Sequence, residues 1–188
     1  MTVDAGAPQL AFERIAGLLE QGGALVLSGA GISTDSGIPD YRGPTGAARR
    51  SHTPMTFQTF VGDPLARRRY WARSFLGWRA MTGTRPNDGH RAVAALQRAG
   101  AIGAIITQNV DGLHQQAGAR DVIELHGTLS RTVCLHCGSY AARADLDRRL
   151  RELNPSFVAH ATRINPDGDA DLPDEDLADF RMAPCEAC

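Results

Sequence analysis

Apolar positions follow a helical rhythm at the start of the chain and then gather into short unbroken runs. Phe12, Ile15, Leu18 and Leu19 fall at helical spacing between Leu10 and Glu20, and Gly22-Gly23 ends the run, so a short amphipathic helix is predicted there. Ala24 to Leu27 is compact and apolar and leads straight into Ser28-Gly29-Ala30-Gly31, which reads as a buried parallel strand feeding a glycine turn. The stretch from Ser36 through Gly43 and Gly46 carries too much Gly and Pro for regular structure and reads as a long loop. Pro64 to Met81 predicts a helix with Pro in its first turn, bearing Tyr70, Trp71, Phe75 and Trp78. That aromatic stripe either walls a groove or packs into the core, and Arg67-Arg68-Arg69 reads as the solvated face of the same helix.

A second helix is predicted from Asp88 to Gly100, followed by the β-branched strand Ala101 to Ile106 and a third short strand, Val122 to Leu125. Strand, helix, strand with polar residues at the strand ends is the pattern of an open α/β sheet. Ala141 to Leu153 has helix-forming composition, while the acidic stretch Asn165 to Asp179 reads as an exposed excursion.

Composition narrows the function classes. The chain has 188 residues, 43% of them hydrophobic, enough for a packed core and one ordinary domain or a domain with a small inserted module. A formal net charge of -1 disfavours nucleic acid as the main partner. All 20 basic residues are Arg, so the chain offers no lysine of its own for acylation. Met1 to Gln9 lacks the features of a secretory signal, and no apolar run approaches the roughly 18 to 20 residues of a membrane span, so a soluble cytoplasmic protein is expected.

Three polar groups stand at predicted strand ends. Gly29-Ala30-Gly31 is the first half of a dinucleotide-binding turn or an ordinary tight turn. Thr34 occupies the place of the third glycine of a dehydrogenase fingerprint, and Arg49-Arg50 stand where its acidic ribose ligand belongs, which argues against a hydride-transfer mode of binding. Asn109 and Asp111 suit the orientation of a carboxamide or ribose, or else a helix cap and turn. His126, at the end of the third strand, can act as a base near neutral pH, and that position distinguishes it from His52, His90, His114, His136 and His160. The four Cys form two C-x-x-C pairs, Cys134/Cys137 and Cys185/Cys188, the signature of a closed, structural four-thiolate zinc site, with His136 as an alternative ligand. The 47 residues between the pairs exceed the roughly 15 to 20 of compact zinc ribbons, the excess being the helix and acidic excursion.

Gly29-Ala30-Gly31-Ile32-Ser33 with Ser36-Gly37-Ile38-Pro39-Asp40-Tyr41-Arg42, then Thr107-Gln108-Asn109-Val110-Asp111-Gly112-Leu113-His114, then Leu125-His126-Gly127, then the cysteine pairs, resemble the sirtuin family in order and spacing. Tyr41 and the acidic excursion look most like its class II branch. The resemblance implies a Rossmann-like doubly wound parallel sheet with a small zinc-ribbon module. It divides the chain into part of an NAD-binding domain over 1–130, with a helical insertion near 44–90, and a zinc-binding module over 131–188. It implies an NAD-dependent protein-lysine deacylase that converts NAD and an acylated-lysine protein substrate to nicotinamide and O-acyl-ADP-ribose. The alternatives are protein mono-ADP-ribosylation on the same scaffold or a non-enzymatic zinc-ribbon interaction module.

By the same resemblance the NAD contacts include Gly29, Ala30, Gly31, Ser33, Thr34, Ile38, Pro39, Asp40, Tyr41, Arg42, Gln108, Asn109, Val110 and Asp111. Asp40 and the backbone near Ile38 would hold the nicotinamide carboxamide, and Ser33 and Arg42 would lie near phosphate or ribose. Gln108, Asn109 and Asp111 would position the nicotinamide ribose, with Asn109 and Asp111 joining His126, the general base, in catalysis. One structural zinc would sit on Cys134, Cys137, Cys185 and Cys188. Family members continue past the second cysteine pair, so the 188 residues are expected to be an incomplete sheet that binds NAD weakly and turns over little.

Overall fold

The computed structural model describes residues 6–40, 43, 55–157, 163–164, 169–171 and 179–188. Its elements run α1 (Gly6–Glu20), β1 (Ala24–Ser28), a 3₁₀ segment (Ala30–Ser36), α2 (Phe57–Gly62), α3 (Pro64–Thr82), α4 (Asp88–Arg98) and β2 (Ile102–Thr107). There follow α5 (Leu113–Gln116), β3 (Val122–Glu124), β4 (Arg131–Val133), β5 (Tyr140–Ala142), α6 (Arg143–Leu153), β6 (Arg163–Ile164) and β7 (Ala170–Asp171).

The predicted strands and long helices form close to their expected bounds, and their ends have identifiable causes. Asp63 caps α3 by accepting the Leu65 N–H at 2.8 Å, with Pro64 in the first turn. Asn87 caps α4 in a capping box with His90, and Gly100, at φ 81, turns the chain into β2. Seven elements were not anticipated. The glycine turn winds into a 3₁₀ segment, Phe57–Gly62 forms the separate helix α2 before Pro64, the turn after Asp111 closes into α5, and β4, β5, β6 and β7 form two small antiparallel pairs. All seven are seven residues or shorter, below the length at which periodicity can be read.

The sheet order is β1-β2-β3, parallel throughout, with Ser28 opposite Thr107 and Thr107 opposite Glu124. The fold is therefore α/β with a parallel sheet, and the C-terminal ends of all three strands lie along one edge. One face packs under helices: Val26, Ile102, Ile105 and Val122 meet Leu19 of α1 and Val93, Ala94 and Leu96 of α4. The other face differs from expectation. Compact apolar runs predict burial on both sides, yet Leu25 and Leu27 are 61% and 63% exposed, and Ile123 and Leu125 are also exposed. Strands alternate their side chains, and among the described residues the helices cover one face only.

A second core joins α3 to the cysteine-bearing region. Ala72 and Phe75 of α3 pack with Leu150 of α6, Ala170 and Phe180. Phe75, Phe157 and Phe180 form a ring cluster with centroids 5.1–6.1 Å apart. The aromatic stripe thus takes its packing role: Tyr70 and Trp71 meet Phe60 edge-on, and the Arg143 guanidinium lies 4.7 Å from the Trp78 ring centre. Asp147, wholly buried, is held by Arg151 and by Arg79 at 3.5 Å. Only part of the Arg run is solvated, because Arg67 is half-buried over the Phe60 ring and donates to the Val61 carbonyl at 3.2 Å. Of the acidic excursion, Ala170–Asp171 pairs with Arg163–Ile164, and most of the remainder lies outside the described residues.

Candidate functional site

The strand-end edge gathers the predicted polar groups. Gly29 follows β1, Gln108 and Asn109 follow β2, and His126 follows β3 by two residues. The ladder carries on past the strands, since Gln108 N–H donates to Ser28 O at 3.0 Å and Leu125 N–H to Thr107 O at 2.9 Å. Neighbouring strand ends are thereby held at hydrogen-bonding distance, which brings together residues 80 to 100 positions apart.

Behind that edge lies a buried polar network. Ser33, fully buried in the 3₁₀ segment, donates to Asp111 Oδ2 at 2.7 Å. Asn109, 9% exposed, spends its carboxamide hydrogens on Gly29 O and Ser33 Oγ, both at 3.1 Å. Asp111 also accepts the Leu113 N–H at 2.9 Å, so of the alternatives read in the sequence its side chain takes the turn role, just before Gly112, the N-cap of α5. Asn87 Nδ2 donates to Ile32 O at 2.7 Å and ties the 3₁₀ segment to the start of α4. Thr34 hydroxyl donates to Gly31 O at 2.9 Å, so the residue replacing the third glycine stabilises the turn itself.

Ile38 is buried with Met81 and Leu113, while Pro39 and Asp40 are half-buried. A Cβ at Gly43 would come within 1.8 Å of Asp40 Oδ2, so a larger residue there would require the Asp40 carboxylate to move. Gly31 and Gln108 are exposed, and Gly29, Ala30 and Val110 are half-buried. Tyr41 and Arg42 lie outside the described residues.

His126 is exposed, with Nδ1 3.0 Å from Gln108 O. A carbonyl only accepts, so Nδ1 carries a ring proton and Nε2 is the nitrogen left to exchange a proton with a ligand. Two other histidines, left as competitors by sequence reasoning, belong to the buried network. His90 approaches Ser33 Oγ at 3.4 Å, and His114 approaches Ser28 Oγ at 2.8 Å. Burial lowers the pKa of both from the ordinary 6.5 against the pull of Asp111, so both are neutral at pH 7. Nothing in a single sequence marks them, because their neighbours Ser28 and Ser33 are some 60 to 90 residues away.

The four cysteines form a second centre. All four Sγ atoms lie within 4.8 Å of one another, and Cys134–Cys188 and Cys137–Cys185 are each 3.8 Å apart. Zinc–sulfur bonds of about 2.3 Å at tetrahedral angles give sulfur–sulfur edges of about 3.8 Å, so this set fits a zinc ion. The group comprises the four sulfurs and does not include His136. Their ionisation is divided: Cys185 is drawn down to about 6, first by the Ser139 hydroxyl and then by backbone N–H groups, while neighbouring thiols push Cys188 up to about 12. Four thiolates this close repel unless a cation lies between them.

A parallel α/β sheet with polar residues gathered at its strand ends, in a chain that also carries four cysteines fit to hold a zinc ion, defines an α/β protein with a metal module. Residues 29–185 match the Sir2 family model, and the chain belongs to the Sir2 family. It is 61% identical over 174 residues to NAD-dependent protein deacetylase 1 of Streptomyces coelicolor, covering 93% of this chain and 58% of that protein. It is 44% identical to the NAD-dependent protein deacylase Sirt4 of Drosophila melanogaster, covering 91% of this chain and 55% of that one. The chain thus spans between half and two thirds of the length of these relatives. A solved Sir2–p53 peptide–NAD+ complex is 30% identical with a TM-score of 0.64, over 87% of this chain and 67% of that one. A Sir2 complex with 2′-O-acetyl-ADP-ribose and deacetylated p53 peptide is 33% identical with a TM-score of 0.60, over 74% of this chain and 55% of that one. Among the described residues, no helix is long and apolar enough to cross a membrane.

Proposed function

We propose that the protein is an NAD-dependent protein-lysine deacylase of the deacetylase type, using NAD as co-substrate and an acylated lysine of another protein as substrate. The observation that carries this reading is the exposed His126, its Nδ1 turned to Gln108 O, set on the same sheet edge as the Ser33–Asn109–Asp111 network. The names of the relatives, and the NAD+ and acetyl-ADP-ribose of the solved ones, support it.

In this reading NAD supplies the ribosyl group that receives the acyl oxygen as nicotinamide leaves. The glycine turn at 29–31 accommodates the phosphates with backbone N–H groups. Ser33, Thr34, Ile38, Pro39 and Asp40 form the wall along nicotinamide and ribose; Tyr41 and Arg42, which lie outside the described residues, are proposed as NAD contacts from the family resemblance alone. Gln108, Asn109, Val110 and Asp111 orient the ribose hydroxyls. Asn109 has committed its amide hydrogens, so it offers Oδ1 as an acceptor for a sugar hydroxyl. His126 Nε2 takes a proton from a ribose hydroxyl, which frees that oxygen to receive the acyl group. One zinc on Cys134, Cys137, Cys185 and Cys188 is structural, since four thiolates leave no open coordination position. The NAD-binding part comprises residues 1–130 and the zinc module 131–188.

Incubation with NAD and an acetyl-lysine peptide tests the reading. Free nicotinamide with O-acetyl-ADP-ribose is the expected outcome. ADP-ribose attached to protein would replace the deacylase reading with a transferase one; because little turnover is expected, the protein is used in stoichiometric amount over NAD, and NAD unchanged even then would overturn both.

A further inference from the structure

We propose that His114 is a positioning residue for Asn109, acting through Ser28 and Thr107 from the opposite side of the sheet edge. The inference rests on the reading of Asn109 as a ribose-orienting group and adds to it a residue that touches no ligand.

His114 sits on α5, 1% exposed, with Nε2 2.8 Å from Ser28 Oγ. The Ser28 hydroxyl donates its only hydrogen to Thr107 Oγ1 at 2.9 Å. It can therefore only accept from the histidine, which sets the His114 proton on Nε2 and leaves Nδ1 as a lone pair. That Nδ1 is buried with no hydrogen-bond partner among the described residues, as expected of an unprotonated ring nitrogen. Thr107, 2% exposed at the end of β2, also accepts the Asn109 backbone N–H at 3.1 Å.

Three hydrogen bonds thus run from α5 across the end of β1 to the end of β2 and terminate on the backbone of Asn109. A buried N–H requires a partner, and here that partner is a hydroxyl whose own orientation is set two bonds away. On its other side Asn109 is fixed by its carboxamide bonds to Gly29 and Ser33. The His114 chain holds the backbone, the glycine turn holds the side chain, and together they aim Oδ1. Without the His114 N–H, Ser28 and Thr107 can rotate and the Asn109 backbone loses its fixed acceptor.

The test uses the ¹⁵N-labelled chain purified without chelator, compared with His114→Leu, His114→Gln and Ser28→Ala. Glutamine is chosen because its Nε2 can occupy the place of the imidazole Nε2–H. Ring-nitrogen spectra of the unmodified chain at neutral pH should show His114 as the neutral Nε2–H tautomer. Amide exchange at Asn109 should quicken by about tenfold or more in His114→Leu and in Ser28→Ala, and return to within about threefold of the original in His114→Gln. Exchange at Ile105, in the middle of β2, should stay unchanged, which separates loss of position from loss of fold. In the deacylation assay kcat/KM for NAD should fall by about tenfold in His114→Leu and recover in His114→Gln. An Nδ1–H tautomer, or unchanged Asn109 exchange in Ser28→Ala and His114→Leu, overturns the proposal. If the unmodified chain releases no nicotinamide, the deacylase reading fails, and the exchange measurements still decide the role of His114. Should His114→Leu unfold, Ser28→Ala, which breaks the middle link at small cost in volume, decides it.

Discussion

The strand-end edge and the four-cysteine centre are built in opposite ways. At the edge, Ser33, Thr107, Asn109, His90 and His114 are each at most 9% exposed and are linked, through Ser28 and Asp111 as well, by hydrogen bonds between protein groups. The cysteines are half-buried or exposed, and they converge from two short loops whose secondary structure amounts to the β4–β5 hairpin. The edge is preorganised by protein groups alone, whereas the cysteine centre needs an ion to offset the repulsion of its thiolates. Removing a component should therefore have different consequences in the two regions: local loss of function at the edge, and loss of structure at the cysteines.

The largest effect is expected from metal removal. A chelator, or Cys134→Ser, should release one zinc per chain and abolish amide protection throughout the β4–β5 hairpin, leaving the β1–β2–β3 sheet protected. Retained hairpin protection, or absence of zinc in protein purified without chelator, would show that the two regions do not differ in this way. At the edge, His126→Ala should lower turnover by about 10² to 10⁴-fold with NAD affinity nearly unchanged, since an exposed base contributes to the reaction and little to the fold. A near-normal rate would remove His126 from the mechanism.

Asp147 carries a buried carboxylate that bridges α6 to Arg79 on α3. Asp147→Ala should destabilise the protein by about 1.5 to 3 kcal/mol in a denaturant titration, because it removes a charged acceptor while Arg79 and Arg151, 38% and 61% exposed, can turn to solvent. If it costs under about 1 kcal/mol, the ion pairs are not what joins the cysteine region to α3.

Acid should affect the edge before the pH at which carboxylates protonate. His90 and His114 have pKa values lowered in the folded state by burial, assisted at His90 by Arg91 and at His114 by His90 and opposed at both by Asp111. The unfolded chain then binds more protons, so the contribution to stability is present above about 6.5 and is lost as pH falls below it. Tm should drop between pH 7 and 5, and less so in His114→Gln. The smallest effect is expected at Asn87→Ala, about 1 kcal/mol, from loss of the α4 cap and of the bond to Ile32 O.

Much of this molecule is set by local sequence. Apolar runs mark β1, β2 and β3, helical spacing marks α1, and end residues or composition mark α3, α4 and α6, because these are properties of neighbouring residues. The C-x-x-C pairs mark the metal centre because thiolate pairs at that spacing have few other uses, and the motifs carrying Gly29, Asn109 and His126 mark the ligand edge. What the sequence leaves open depends on partners far along the chain. The Asn109 and Asp111 side chains meet Ser33, 76 and 78 residues away, and His114 meets Ser28 at a distance of 86. Whether a buried histidine is a base, a ligand or a neutral donor depends on which hydroxyl faces it, and that is decided only when the strands pair. The same holds for the bare face of β1: Leu25 and Leu27 read as core residues, and only the placement of the helices determines which side of the sheet is covered.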